Sequence, residues 1–404
     1  MNKKFGLIGQ NIGISLSPAI HSGFFDYDYE LFELNETAVI EKLRRRDFDG
    51  LNVTIPYKKT VMPYLDIVDE KAKEIGSVNT IVNKNGTLYG YNTDYFGFLK
   101  TLEKTDFNPE NKKALVLGSG GASLSIRQAL ADLGAKEVIT ISRKGENNYG
   151  NISKHSDAAV IVNTTPVGKY PNNGEKPLSI DGFEKLEAVI DINYNPVKSA
   201  LLIDAEKRSI KVSGGLTMLV YQAKKSAELF TGESVPDEKC EKILKELLFG
   251  MTNIVFTGMP SCGKSTVGRI VAEKLGREFL DTDEMIEKTN GISPSEIITT
   301  KGEKHFRDLE TAEVKNAAKN TGVVIAVGGG AVLREENVDA LKQNGILVYL
   351  DRPLDELISD DRPLSTDIKK LFEERKDFYE KSADIKIKSQ PTAEKTAEKV
   401  IEKI

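Results

Sequence analysis

"MTNIVFTGMPSCGKST" occupies residues 251–266 and reads as an apolar strand, a glycine-containing loop and the start of a helix. The loop "GMPSCGKST" (258–266) fits the spacing G-x-x-x-x-G-K-[ST]. Its glycines let backbone N–H groups turn toward phosphate oxygens, Lys264 brings positive charge to the transferred group, and the Ser265 hydroxyl suits Mg²⁺. Ser261, Cys262, Gly263, Lys264, Ser265 and Thr266 are therefore the expected nucleotide-binding residues. A chance glycine–lysine turn would not explain the strand "NIVF" before the loop and the helix "KSTVGRIVAEKL" after it.

This unit begins well past the middle of a 404-residue chain, a length that suggests two or three globular domains. The composition, 39% hydrophobic and 29% charged, is that of a folded soluble protein. A formal charge of −5 and no long run of like charges leave no electrostatic footprint for nucleic acid. The two cysteines argue for a reducing compartment. The N-terminal stretch "MNKKFGLIGQ" lacks a signal-peptide core, and no segment reaches the ~18 apolar residues of a membrane span. A cytoplasmic protein without membrane contact is expected.

Short apolar runs alternate with amphipathic stretches from about residue 4 to 230, which predicts βαβ units and mainly parallel sheets. A charged bridge at 101–113 marks a subdomain boundary. The reading is one domain over 1–100, completed by helices in 216–249, a second over 101–215 and a third over 251–404. The last helix before Met251 is expected to stop at Gly250 in the manner of a glycine C-cap, leaving Phe249–Gly250–Met251 as a linker too short to be a flexible tether.

Beyond the phosphate loop, "FLDTDEMI" carries Asp281 and Asp283, expected on one side of a strand end, where one can serve Mg²⁺ and the other a substrate hydroxyl. "HFRDLE" supplies Arg307, "AVGGGAV" supplies Gly328, Gly329 and Gly330, "DDRPLS" supplies Arg362 and "FEERKDFY" supplies Arg375. In this order the set resembles the shikimate kinase family over nearly all of 251–404. The resemblance implies ATP- and Mg²⁺-dependent phosphorylation of a ring hydroxyl. Asp283 would orient and deprotonate the hydroxyl, while Arg307, Arg375 and the glycine strand end would grip a carboxylate. Arg362 would stabilise the moving phosphoryl group, a task suited to a guanidinium fork. The stretch "DRPLDELISDD" is shorter than the lid the family usually carries.

In the first 250 residues, "KALVLGSGGASLSIRQALADLGA" (113–135) reads as strand, glycine turn and helix, with Gly118, Gly120 and Ser123 spaced as in a dinucleotide loop. Arg143 and Lys144 follow the next strand, where they suit the 2′-phosphate of NADP rather than the free ribose of NAD. In "GLNVTIPYKK", Pro56 ends a strand and presents Lys58 at its end, and "GYNTDYFG" brings Asp94 to the end of another. Lysine beside carboxylate in a cleft can act as general acid and base on a carbonyl or hydroxyl.

"SLSPAIH" (15–21), "NVTIPYK" (52–58), "SVNT" (77–80), "NTD" (92–94), "GSGGAS" (118–123), "NTTPVG" (163–168), "DINYNP" (191–196) and "GGLTMLVYQA" (214–223) occur in the order found in the shikimate dehydrogenase family, which the chain resembles over about 1–249. The resemblance implies an α/β substrate domain, a Rossmann domain and NADPH-dependent reduction of 3-dehydroshikimate to shikimate. Lys58 and Asp94 would be the catalytic pair. Ser15, Ser17, Thr54, Asn79, Tyr194 and Gln222 would hold substrate, and Gly118, Ser119, Gly120, Gly121, Ala122, Arg143, Lys144, Ile192 and Gly215 would line the cofactor. The region after Arg143 and the stretch between His21 and Asp49 are trimmed relative to the family.

His21, His155 and His305 lie too far apart for metal-ligand spacing and read as structural or exposed, and Cys262 as a small residue filling a variable loop position. The expectation is a bifunctional enzyme with small-molecule partners only. Its rivals are a quinate-type specificity in the first half and a low-turnover regulatory binding module in the second.

Overall fold

The computed structural model describes residues 4–13, 15–357 and 368–404. The chain divides into two compact units: Met1–Val167 with Lys176–Tyr194 and Asp204–Leu247, and Leu248–Ile404 with Gly168–Glu175 and Asn195–Ile203.

The first unit holds two sheets. One contains β1 (Lys4–Gly9), β2 (Asp28–Glu33), β3 (Gly50–Val53), β4 (Ile67–Val68), β5 (Thr80–Lys84) and β6 (Thr87–Tyr91), in the order β2-β1-β3-β5-β6-β4. β1 pairs in parallel with β2 and β3, whereas β5 runs antiparallel to both β3 and β6. The β5–β6 reversal uses Asn85 and Gly86 at φ 53° and 88°. Two left-handed residues in a two-residue hairpin match the twist of the flanking strands, the reason Asn-Gly is favoured there. The register Asn52↔Thr80↔Tyr91 then brings the end of β3, the start of β5 and the end of β6 to one edge. That edge is where Lys58, Asn79 and Asp94 emerge.

The second sheet is wholly parallel: β7 (Lys113–Leu117), β8 (Glu137–Ile141), β9 (Val160–Asn163), β10 (Ala188–Asp191) and β11 (Lys211–Ser213), ordered β11-β10-β9-β7-β8. Its central strands are buried along nearly their whole length and apolar up to the carboxyl-end Asn163 and Asp191 of β9 and β10, as expected where both faces are covered. The chain leaves β7 toward β8 on one side and returns to β9 on the other, which opens a crevice at the carboxyl end of β7.

The second unit repeats this logic with β12 (Asn253–Thr257), β13 (Phe279–Asp281), β14 (Val324–Ala326), β15 (Gly345–Asp351) and β16 (Ile385–Lys388), all parallel in the order β13-β14-β12-β15-β16. Ile254, Val255 and Phe256 are buried in its centre, each such side chain contributing about 1.5–3 kcal/mol. The phosphate loop leaves β12 at its switch point.

One expectation is corrected here. The helix Asp237–Met251 does not stop at Gly250 but runs on to Met251, and Thr252 closes it with its N–H and hydroxyl on the Leu248 carbonyl at 2.9 and 2.6 Å. Gly250 takes no left-handed conformation, and the capping work passes to the threonine side chain. No described helix is long and apolar enough to cross a membrane.

Candidate active sites

Lys58 follows the turn at Thr54, where the Tyr57 N–H bonds the Thr54 carbonyl at 2.9 Å. Its Nζ lies 2.5 Å from Asp94 Oδ2, with side chains only 12% and 9% exposed. Asp94 is not on a strand, as the sequence reading had it. β6 ends at Tyr91, and Asp94 opens the helix Asp94–Lys104, whose N-terminal dipole favours a carboxylate. The second carboxylate oxygen accepts Asn79 Nδ2 at 2.9 Å, and Asn79 Oδ1 takes the Thr93 N–H at 2.6 Å. The Thr93 hydroxyl in turn donates to Gln222 Oε1 at 3.5 Å. Lys58, Asp94, Asn79 and Gln222 are thus brought together.

Beneath them lies a polar floor that the sequence reading missed. Asn52 is buried, donating to Ser226 Oγ (2.8 Å) and Thr80 Oγ1 (3.0 Å) and accepting Tyr29 OH (2.7 Å). A polar residue inside the apolar run "GLNVTIP" was its signal. Ser15 and Ser17 sit together, their hydroxyls 3.1 Å apart, and the Ser17 N–H donates to Ser15 Oγ at 3.2 Å. His21 is fully buried and stacks on Tyr29 with ring centroids 4.1 Å apart. Burial, opposed in part by Asn52, pushes its pKa down to about 3, so it stays neutral and structural. Tyr194 follows β10 and is partly buried, which raises its phenol above the ordinary value.

The dinucleotide loop leaves β7 at Gly118, whose φ of 106° disfavours a side chain and where an added Cβ would lie 2.7 Å from Thr164 Oγ1. Ser119, Gly120, Gly121 and Ala122 carry it into the helix Gly121–Asp132. Arg143 and Lys144 are exposed just past β8. Gly215 packs onto the Ile192 carbonyl so closely that a Cβ would overlap it, which brings together the two residues expected to line the cofactor.

In the second unit a cleft of ≈ 620 Å³ is lined by Lys264, Ser265, Asp281, Asp283, Arg307, Gly329, Gly330 and Arg375, along with Ser261, Gly263 and Thr266. Gly263, at φ 95°, turns the loop into the helix Lys264–Leu275. Lys264 Nζ rests on the Gly258 and Met259 carbonyls at 3.1 and 3.0 Å. Ser265 Oγ donates to Asp281 Oδ2 at 2.6 Å, and Asp281 Oδ1 caps the next helix through the Asp283 N–H at 2.9 Å. Asp281 ends β13 as expected, but Asp283 stands in the first turn of the helix Thr282–Asn290, not on the strand. A hydroxyl and a carboxylate converging at the loop make a donor set suited to Mg²⁺. Cys262, within the loop, is buried. Arg362 lies outside the described residues.

Arg307 packs against Gly330 and pairs with Glu310 Oε2 at 2.7 Å. Glu310 was missed, although its i,i+3 spacing from Arg307 on one helix was visible. Burial works to lower the Arg307 pKa, but the Glu310 and Glu303 carboxylates outweigh it and hold it above the ordinary value. Burial also lifts the Glu310 carboxyl, with Arg307 opposing and Asp283 adding to the rise. The Glu310 carboxyl moves opposite to what a simple ion pair would do, because loss of hydration on burial outweighs the Arg307 charge. Tyr379, one turn beyond Arg375, hydrogen-bonds the Gly329 carbonyl and ties that helix to the glycine strand end.

Family models described as shikimate dehydrogenase substrate binding domain, shikimate 5'-dehydrogenase C-terminal domain and shikimate kinase match residues 7–81, 215–245 and 260–404. Shikimate dehydrogenase (NADP(+)) of Clostridium perfringens strain 13 is 40% identical over 266 residues, covering 61% of this chain and 98% of the relative. Among solved structures, shikimate dehydrogenase 1 from Peptoclostridium difficile aligns with a TM-score of 0.57 at 34% identity, over 61% of this chain and 98% of that one. A chorismate mutase/shikimate 5-dehydrogenase fusion protein from Clostridium acetobutylicum aligns at 0.58 and 35%, over 61% and 97%. The chain belongs to the shikimate dehydrogenase family over its first part and carries a shikimate kinase domain after it.

Proposed function

We propose that the protein reduces 3-dehydroshikimate to shikimate with NADPH and then phosphorylates shikimate to shikimate 3-phosphate with ATP, in the cytoplasm. The Lys58–Asp94 pair carries the first half of this reading. NADPH would supply the hydride from the Gly118–Ala122 side, with Arg143 and Lys144 on its 2′-phosphate. As charge grows on the ketone oxygen, the Lys58 ammonium delivers a proton, and Asp94 keeps the amine oriented and balances its charge. Ser15, Ser17, Thr54, Asn79, Tyr194 and Gln222 would hold the carboxylate and hydroxyls.

In the second half Asp283 would orient and deprotonate the hydroxyl, and Arg307, Arg375, Gly329 and Gly330 would hold the carboxylate. Lys264 would leave its loop carbonyls for the phosphates, with Arg362 stabilising the transferred group. Ser265 and Asp281 would hold Mg²⁺, which neutralises phosphate charge. The domain boundaries proposed are 1–100 with 216–249, 101–215 and 251–404.

The deciding experiment gives the intact protein 3-dehydroshikimate and NADPH, with and without Mg-ATP, and follows NADPH loss and shikimate 3-phosphate together. NADPH loss with phosphorylated product only when ATP is present is expected. Shikimate accumulating despite ATP would overturn the kinase half, and faster reduction of 3-dehydroquinate would overturn the substrate assignment.

A further inference from the structure

The helix Gly121–Asp132 begins in the dinucleotide loop and sets Gly121, Ser125 and Asp132 on one face, four and seven residues apart. That face meets the elements that carry both catalytic residues. A Cβ on Gly121 would lie 3.3 Å from Lys58 Cδ, so the loop rests on the aliphatic stem of the lysine. Asp132 takes Lys71 Nζ and Tyr95 OH on one oxygen, each at 2.8 Å.

Between these ends lies Ser125, fully buried, which donates to Asn92 Oδ1 at 3.0 Å. Asn92 is also buried. It donates to the Ser77 carbonyl and hydroxyl at 2.9 Å each and accepts the Tyr95 N–H at 3.3 Å, inside the first turn of the helix that Asp94 opens. A helix–helix contact at this position needs only a small apolar residue, and a buried hydroxyl is unfavourable unless bonded. Ser125 spends its hydroxyl on the residue two places before Asp94.

We propose that Ser125 is a positioning residue for the reduction: through Asn92 it fixes the first turn that carries Asp94, and so the Lys58–Asp94 contact, from the same helix that opens the cofactor loop. The inference rests on the dehydrogenase reading above. Without Ser125, the Asn92 oxygen keeps only the 3.3 Å bond from the Tyr95 N–H, so the amide, still held at its nitrogen by Ser77, fixes the first turn from one side only and the Asp94 carboxylate shifts relative to Lys58. The helix thereby aligns the proton-transfer pair and the cofactor loop as one piece.

The test compares the full chain with Ser125→Ala, a change that suits a helix interior. In steady-state reduction, kcat is expected to fall about tenfold with KM for NADPH and for 3-dehydroshikimate unchanged, as a misplaced catalytic group requires. Phosphorylation of shikimate by the same variant serves as the internal control. A second readout does not need turnover: the rate at which an N-hydroxysuccinimide ester acylates Lys58, measured by mass spectrometry against the exposed Lys242. Loosening the pair is expected to raise that ratio several-fold. Unchanged kcat and labelling, even with a lowered Tm, would reduce Ser125 to packing and overturn the proposal, as would a raised KM for NADPH with kcat intact. If the parent chain reduces nothing, the dehydrogenase reading fails, while the Lys58 labelling ratio still decides the role of Ser125.

Discussion

The two catalytic regions keep their charges in different company. In the dehydrogenase part the lysine and carboxylate are each other's partners, 2.5 Å apart, and Asn79 fills the remaining carboxylate oxygen. In the kinase domain Lys264 leans on backbone carbonyls and Ser265 on Asp281, contacts that a nucleotide and its metal would take over. A site that passes one proton can be assembled in advance. A site that receives several phosphate charges must hold its groups on partners they can leave.

The sharpest break between the regions comes from Lys58→Ala. It is expected to lower reduction about 10³-fold while shikimate phosphorylation continues, because the proposed proton donor is lost and the residues of the phosphate loop are untouched. A coupled assay with each substrate separately checks both halves. The reverse dissection, Lys264→Ala, is expected to cost phosphoryl transfer about 10²–10³-fold and to spare NADPH oxidation. Loss of both activities in either variant would mean the two regions do not act as separate catalysts.

Stability separates them as well. Glu310→Ala leaves the Arg307 guanidinium, 10% exposed, without its main partner, and the kinase domain is expected to lose about 3 kcal/mol in denaturant unfolding. Glu310→Gln should lose less, since it keeps an acceptor.

In the first part, His21 sets an acid limit. Folded, it stays neutral down to about pH 3, whereas the unfolded chain binds its proton near 6.5. Stability present above pH 6.5 is therefore lost as pH falls from 6.5 toward 3, amounting to about 2 kcal/mol at pH 5. Unfolding curves of His21→Gln at pH 7 and pH 5 are expected to lack this slope. The smallest effect belongs to the residues proposed for the cofactor's 2′-phosphate: replacing the exposed Arg143 and Lys144 by Ala should raise KM for NADPH about tenfold and leave KM for NADH unchanged, since NADH has no 2′-phosphate for them to meet.

What was legible in the sequence follows from where single residues dominate geometry. The loops at Gly118 and Gly258 could be read because only glycine serves there, and Lys58 because Pro56 ends its strand. The floor of the dehydrogenase site could not, since Asn52 meets Ser226 across 174 residues and only tertiary packing joins them. Glu310 lay in plain view beside Arg307, but an exposed ion pair and a buried one have the same spelling. Asp94 and Asp283 were assigned to strands because a strand end and the first helical turn after it share apolar neighbours and acidic first residues. The helix stop at Gly250 failed for a related reason: glycine permits a C-cap without compelling one.

That last helix governs how the protein can be taken apart. Proteases cut where several residues can be drawn out into extended form, and loop tips serve them best. From Asp237 to Met251 the backbone is helical, and Asn253 already belongs to β12. Digestion aimed at the joint would find one residue, Thr252, outside regular structure, and that residue is bonded back to Leu248. Among the described residues, the stretch from Asp237 to Thr257 thus offers a protease one residue outside helix or strand, and that residue is tied by its own side chain.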